Sequence, residues 1–229
     1  MRTEQKSVKD CIDEHHSACR VCGAPATRFF LNVEGLDYHR CDRCEATVLD
    51  PAQWLSAETE YAHYLNHENN VADTAYRRFL SRLVDPLLEN LAAGREGLDY
   101  GCGPGPALAH MLSEAGHSVS LFDPFFYPDQ ALLGRWYDFI TCTEAIEHFH
   151  HPAEDFARFE RMLRPGGWLA IMTSFQGDDD HFPSWYYRRD PTHVIFYREA
   201  TLHHIARSFG WPCKFPVKDV ALMQKPLNR

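Results

Sequence analysis

Apolar positions divide the chain into short runs and helical stripes. Leu98 and Tyr100 close a short run that reads as a buried strand. Beyond glycines 101, 103 and 105, Leu108, Met111, Leu112 and Ala115 recur at helical spacing, and Gly116 suits a left-handed helix cap. Residues 118–122 read as a second strand and residues 137–142 as a third. Pro152 opens a helix with Phe156, Phe159 and Leu163 on one face. The run Leu163-Arg164-Pro165-Gly166-Gly167-Trp168 ends it and opens a strand at 169–172. Residues 201–209 form the last predicted helix, and 214–224 a closing pair of strands. Only thirteen residues separate Asp123 from Tyr137, room for a stub of strand at Ala131, Leu132 and Leu133 but not for a full helix. Upstream, residues 50–92 carry helical signals, with Phe79, Leu80, Leu83, Leu87, Leu88 and Leu91 on one broad stripe.

The first residues, 1–18, read as a polar, solvated lead in which Cys11, His15 and His16 fall by chance. The pairs Cys19-x-x-Cys22 and Cys41-x-x-Cys44 follow, 18 residues apart, a spacing that predicts a zinc ribbon. Each pair turns two thiolates inward, and two pairs complete a tetrahedral site. Residues 28–31 and 36–40 alternate between them like a short hairpin. So small a module depends on its metal to fold. A thioredoxin-like redox pair fits less well, because two pairs occur and neither opens a helix after a strand.

At 229 residues, 45% hydrophobic and 24% charged, the chain suits one ordinary domain with a small appendage. No apolar run approaches the ~20 residues of a membrane helix, and the N-terminus lacks the apolar centre of a signal peptide. The expectation is a cytoplasmic protein without a membrane partner. A net charge of −9 argues against nonspecific wrapping of nucleic acid. Five of the eight cysteines lie in the first 44 residues, which in a reducing compartment points to metal rather than disulfides.

The glycine turn carries the first chemistry. A strand, closely spaced glycines and a helix N-terminus bring bare main chain and unpaired N–H groups to a ligand. The dinucleotide fingerprint needs a glycine five positions after its first; Pro106 or Leu108 stands there. The phosphate loop needs a lysine that is absent. What remains is Asp99-x-Gly101-x-Gly103-x-Gly105, which resembles the first motif of class I S-adenosylmethionine-dependent methyltransferases. Asp123 ends the second strand about 20 residues later, where an acid binds ribose hydroxyls in a doubly wound sheet. The strand at 137–142, Thr143 to His148 after it and the Leu-Arg-Pro-Gly-Gly turn are similar to that family's core. The resemblance spans about residues 60–226. It implies an α/β fold with a doubly wound, mostly parallel Rossmann-like sheet, cofactor-binding roles for Asp99, Gly101, Gly103, Gly105, Asp123 and Thr143, and helices that lie across the cofactor cleft. The expected division is a lead (1–18), a zinc ribbon held by Cys19, Cys22, Cys41 and Cys44 (19–50), a helical cap (51–92) and a methyltransferase domain (93–229). Tyr61 and Tyr64 then either cover the cofactor or pack two helices together. Phe125, Phe126 and Tyr127 are expected to form an apolar wall in place of the usual adenine contacts.

Glu144-x-x-Glu147-His148, with a distant His193 before an aromatic run, resembles ubiquinone-pathway O-methyltransferases and small-RNA 2′-O-methyltransferases. That resemblance implies that Glu144, Glu147, His148 and His193 hold a divalent ion, magnesium, manganese or a second zinc, beside the hydroxyl to be methylated. The other reading is metal-free, with His148 or His193 as general base. Asp178, Asp179 and Asp180 form either a solvated acidic loop or a substrate lid, and Arg188 and Arg189 suit an anionic substrate group. The favoured acceptor is oxygen on a small molecule. Against it stand an RNA methyltransferase gripping through ribbon residues Arg20, Arg28, Arg40 and Arg43, and a non-catalytic module that binds cofactor or a protein partner. Sugar C-methyltransferases also carry a four-cysteine ribbon, so the ribbon does not choose.

Overall fold

The structure is a computed structural model describing residues 18–66 and 70–227. Cys11, His15 and His16 lie outside the described residues.

The N-terminal strands β1 (Arg28–Val33), β2 (Leu36–Arg40) and β3 (Thr47–Leu49) form an antiparallel meander. Two helices follow. Ser56 caps α1 (Ala57–Tyr64), and the Asp73 carboxylate caps α2 (Thr74–Leu88) by accepting from the N–H groups of Ala75 and Tyr76. Then β4 (Glu96–Tyr100), α3 (Ala107–Glu114), β5 (Ser118–Phe122), β6 (Tyr137–Thr143), α4 (Pro152–Met162) and β7 (Leu163–Met172) alternate. The chain closes with β8 (Ile195–Phe196), α5 (Glu199–Phe209), β9 (Cys213–Lys214) and β10 (Val220–Gln224).

The main sheet has the order β5-β4-β6-β7-β10-β9. Its first four strands are parallel and β10 runs antiparallel to β7. Successive side chains of a strand face opposite sides, and the core follows that period. Ile140, Leu169, Ile171, Ala221 and Met223 meet α4 and α5 through Phe156, Phe159, Leu202 and Ile205. Their neighbours Phe139, Ala170, Met172, Val220 and Leu222 meet α2 and α3 through Leu80, Leu83, Leu87 and Leu112. The expected doubly wound α/β sheet is present, with both faces covered.

Three local expectations are corrected. Residues 130–134 form a short 3₁₀ helix rather than a stub of strand; the Asp129 carboxylate accepts from the N–H of Ala131 and starts the turn. Leu163 is not on the helix face: it opens β7 six residues before Leu169. The Pro-Gly-Gly run forms an irregularity inside β7, with Gly166 at φ +79°, held where Gly166 N–H donates to the Lys225 carbonyl and Lys225 N–H to that of Gly167. Asp179 is no substrate lid; it binds Arg40 and Arg198 and ties the ribbon to the body.

The ribbon is joined to the body by main-chain pairing. β3 pairs with β8, so the meander and β8 make one four-stranded sheet, β1-β2-β3-β8. Cys19, Cys41, Cys44, Ala46 and Val48 belong to the same hydrophobic cluster as Leu98, Ile140 and Leu169.

Candidate active site

A cavity of about 1070 Å³ opens at the carboxyl ends of β4, β5 and β6. Gly101, Gly103, Asp123, Phe125 and Phe126 line one part; Thr143, Glu144, Glu147, His148, His193 and Tyr187 line another. Asp99 and Gly105 are not among the lining residues.

Gly101 and Gly103 have φ of +76° and +62°, a conformation that excludes most side chains. A Cβ on Gly101 would stand 2.6 Å from that of Ala145. The turn is held against β5: Gly101 N–H donates to the Phe122 carbonyl at 2.8 Å, and Gly103 N–H to Asp123 Oδ2 at 3.0 Å. Asp123 Oδ1 accepts from the N–H groups of Phe125 and Phe126 at 2.8 and 3.1 Å. One carboxylate thus fixes both the glycine turn and the aromatic loop. Phe125 stacks on Tyr61 of α1 with ring centroids 5.6 Å apart and lies 5.5 Å from Tyr64. Phe125 and Phe126 of the expected apolar wall line the cavity and close against α1, Tyr127 is not among the lining residues, and Tyr64 itself lines the cavity.

Asp99 is buried behind the turn and accepts from Thr141 Oγ1 at 2.9 Å. Burial, and then the charge of Asp123, push its carboxyl up to about 7 despite that hydrogen bond. The Tyr76 hydroxyl is pushed up to about 12 by burial and by the charges of Asp99 and Glu144. Thr143 Oγ1, in a cavity-lining residue, is buried without a hydrogen-bond partner among the described residues. An orphaned hydroxyl beside bare glycine main chain fits a site built for a polar ligand.

The far part of the cavity is a polar network. Glu147 is fully buried; its carboxylate accepts from Thr173 Oγ1 at 2.9 Å and from the Tyr187 hydroxyl. Tyr187 also lies 3.1 Å from Glu144 Oε2. Burial first, and Glu147 second, push the Glu144 carboxyl up to about 8. Glu144 has φ of +47°, a strained value for a non-glycine residue, and its N–H donates to the Met172 carbonyl at 2.7 Å. The imidazoles of His148 and His193 lie 4.7 Å apart, centroid to centroid. His148 Nδ1 meets the Thr192 carbonyl at 3.0 Å, and His193 Nδ1 meets the Tyr187 carbonyl at 2.7 Å. A carbonyl only accepts, so both Nδ1 atoms carry a proton, and in the neutral imidazole the lone pair is then on Nε2. Burial holds the His193 imidazole below its ordinary value.

Ligand atoms of Glu147, His148 and His193 lie within 4.8 Å of one another. Glu144 is not in that group; its carboxylate lies 3.1 Å from the Tyr187 hydroxyl, which also bonds Glu147. The anchoring of each imidazole through Nδ1 is the arrangement that metal-bound histidines use. Arg188 is not among the cavity-lining residues. It is buried against Glu34 of the ribbon, at 2.8 Å, and Tyr38, whereas Arg189 lines the cavity.

The four cysteines form a second donor set. Cys19 and Cys44 Sγ lie 3.7 Å apart, and Cys22 and Cys41 Sγ 3.6 Å apart. Four sulfurs about 2.3 Å from one zinc ion would form a tetrahedron with edges of about 3.8 Å. The two turns repeat the same backbone. Gly23 and Glu45 donate to the carbonyls of Cys19 and Cys41, both at 2.8 Å, and have φ of +67° and +62°. A hydrogen bond from Cys44 holds the Cys19 thiol down to about 5.

Sequence reasoning missed Tyr187, Thr173 and Thr192 as parts of the site. They are common residue types on separate segments, and only their meeting gives them a role.

A family model described as a methyltransferase domain matches residues 72–213. The ubiquinone biosynthesis O-methyltransferase of Thiobacillus denitrificans is 30% identical over 105 residues, covering 35% of this chain and 45% of that protein, so the match spans about half of that relative. An O-methyltransferase family protein from Burkholderia thailandensis superimposes with a TM-score of 0.50 at 17% identity, covering 75% of this chain and 63% of that one. The 1,6-didemethyltoxoflavin-N1-methyltransferase of Burkholderia thailandensis, solved with its substrate and S-adenosylhomocysteine, gives a TM-score of 0.49 at 18% identity, covering 87% and 99% of the two chains.

Proposed function

The chain belongs to the methyltransferase-domain family and is an S-adenosylmethionine-dependent methyltransferase, and from that premise we propose that it methylates a hydroxyl oxygen of a small molecule. The observation that carries the acceptor is the pair of cavity-lining imidazoles with Nδ1 fixed on carbonyls. When bound, the cofactor would supply an electrophilic methyl carbon on a sulfonium sulfur, open to attack by an acceptor oxygen with the neutral thioether as leaving group. Gly101, Gly103, Asp123 and Thr143 would hold the cofactor, with Asp99 behind them as a source of negative charge. The Nε2 of His148 or His193 would take the hydroxyl proton.

A second reading keeps Glu147, His148 and His193 as ligands of a divalent ion, and their convergence within 4.8 Å favours it. When bound, such an ion would lower the hydroxyl pKa. Zinc on Cys19, Cys22, Cys41 and Cys44 would be structural, because four thiolates leave no open position.

Two observations favour a small molecule over RNA. The cavity wall carries Glu60, Asp123, Glu147, Glu154, Asp155 and Asp190 against Arg158 and Arg189, a lining that repels phosphates. In the ribbon, Arg28 pairs with Asp42, Arg40 with Asp179, and Arg20 bonds the His150 carbonyl. Among the described residues no helix is long and apolar enough to cross a membrane.

The test is incubation of purified protein with methyl-labelled cofactor and metabolite extract, followed by mass spectrometry. A labelled, alkali-stable ether on a low-molecular-weight product supports the proposal. Label only in RNA, or on nitrogen or carbon, rejects it. Repeating the reaction with protein that retains one zinc equivalent on its four cysteines but is freed of every other divalent ion separates the metal reading, which expects loss of activity, from the imidazole-base reading, which expects it to persist.

A further inference from the structure

Arg40 and Thr47 of the cysteine ribbon bond Asp179 and Gln176, away from the cavity, and other hydrogen bonds of the ribbon lead to the part of the cavity that holds Glu147, His148 and His193. Strand β3 begins three residues after Cys44 and pairs with β8, which begins two residues after His193. Leu49 N–H donates to the Val194 carbonyl at 2.9 Å, and Val194 N–H donates to the Glu147 carbonyl at 2.9 Å. Ribbon, Val194 and Glu147 are therefore linked in series by main-chain hydrogen bonds. The segment between them supplies the two carbonyls, of Tyr187 and Thr192, that fix His193 and His148. That segment is itself anchored on the ribbon through Arg188, which reaches Glu34 at 2.8 Å and the Tyr38 hydroxyl at 3.3 Å.

A second link starts inside the first cysteine turn. The Arg20 carbonyl accepts from Ala153 N–H at 3.2 Å, and the Arg20 guanidinium donates to the His150 carbonyl at 3.3 Å. The guanidinium also lies 4.7 Å from the Trp54 ring centre, and Trp54 stacks on His150 at 4.5 Å. His150 in turn meets the buried Glu60 carboxylate at 2.9 Å, and both residues line the cavity.

Among the described residues the glycine turn has no such hydrogen-bonded links. The hydrogen bonds of Gly101, Gly103 and the Asp123 carboxylate run to Cys102, Phe122, Phe125, Phe126 and one another.

We infer that the four-cysteine ribbon is the scaffold of the acceptor half of the site. Metal on Cys19, Cys22, Cys41 and Cys44 sets the position of Glu147, His148 and His193 through Leu49, Val194 and the 187–193 segment, while the donor half forms without it. The inference rests on the proposed division of the cavity into donor and acceptor halves. The ribbon residues are positioning residues: none of the cysteines lines the cavity.

The experiment compares the full chain carrying one equivalent of zinc with a full-length Cys22→Ser, Cys41→Ser variant dialysed free of metal. One readout is the exchange-protected Nδ1–H signals of His148 and His193 in ¹⁵N-histidine-labelled protein, assigned with His148→Gln and His193→Gln. These protons persist whether or not Nε2 carries a metal, so they report position alone. The other readout is calorimetric binding of S-adenosylhomocysteine. The expected result is loss of both Nδ1–H signals in the metal-free variant with S-adenosylhomocysteine affinity unchanged. Protected signals that survive without the ribbon metal overturn the inference. So does joint loss of the signals and of nucleoside binding, because the ribbon would then support the whole domain rather than one half. Zinc-loaded wild type that fails to bind S-adenosylhomocysteine rejects the donor assignment instead, a result distinguishable from both.

Discussion

His148 and His193 face each other across 4.7 Å, and each donates its Nδ1 proton to a carbonyl of the same short segment, Thr192 and Tyr187 respectively. One segment thereby fixes two tautomers and leaves two lone pairs side by side. His148→Gln and His193→Gln are expected to lower kcat by about 10²–10⁴-fold, the usual contribution of a general base. S-adenosylhomocysteine affinity should not change, since neither residue belongs to the glycine turn. Equal losses in affinity and turnover would show that the imidazoles hold the cofactor instead.

His193 also gives the pH dependence a sign. Its imidazole lies below the ordinary 6.5, so the native state resists protonation. Its contribution to stability is full above the unfolded value and is lost as pH falls through the folded one. The acid limb of the rate profile should accordingly fall below 6.5.

Asp99 acts in the opposite sense. Its carboxyl stands at about 7 against an ordinary 3.8, so its contribution is complete below the unfolded value and is lost as pH rises through about 7. Asp99→Asn keeps an oxygen to accept from Thr141 and carries no charge. The difference in Tm between this variant and wild type should widen in the variant's favour from pH 5 to pH 8. In the same variant cofactor affinity should fall at pH 8, where the wild-type carboxylate is charged. A constant difference across that range would rule out the raised pKa.

Thr143 is expected to show stability and binding moving in opposite directions. Its buried hydroxyl has no hydrogen-bond partner among the described residues. Thr143→Val should raise the stability of the ligand-free chain by about 1 kcal/mol, or about 2–4 °C in Tm. It should weaken cofactor binding about tenfold, the equivalent of one lost hydrogen bond. Calorimetry of the same preparation in both modes checks the two signs together.

Gly101→Ala tests the close approach in the glycine turn. The new Cβ would stand 2.6 Å from Ala145 Cβ, at a φ of +76°. The expected cost is about 1–3 kcal/mol, a drop of about 2–10 °C in Tm. Alanine at Gly116, where φ is also positive but no atom lies within 4 Å, is the control for φ strain alone.

The sheet and the cysteine turns were readable because their signals are local. Period-two alternation sends Leu169 and Ala170 to opposite faces. The residues after Cys22 and Cys44 repeat one turn, although Glu45 hides the likeness that Gly23 advertises. The 3₁₀ helix at 130–134 was missed because Ala-Leu-Leu has no period in so short a run, and the Asp129 side chain decides its geometry.

The chain alone therefore determined the strand–glycine–helix unit, the acid at Asp123 and the pairing of cysteines, each written within one turn or one strand. Only tertiary structure decided that Tyr187, Thr173 and Glu147 share one network, that Glu144 is not in the Glu147–His148–His193 group, and that the ribbon's β3 continues into β8 beside His193. These relations join residues up to about 150 positions apart, as in the bond from Arg188 to Tyr38. Hydrophobic spacing sets which face a residue takes; which partner it meets there depends on how separate segments pack.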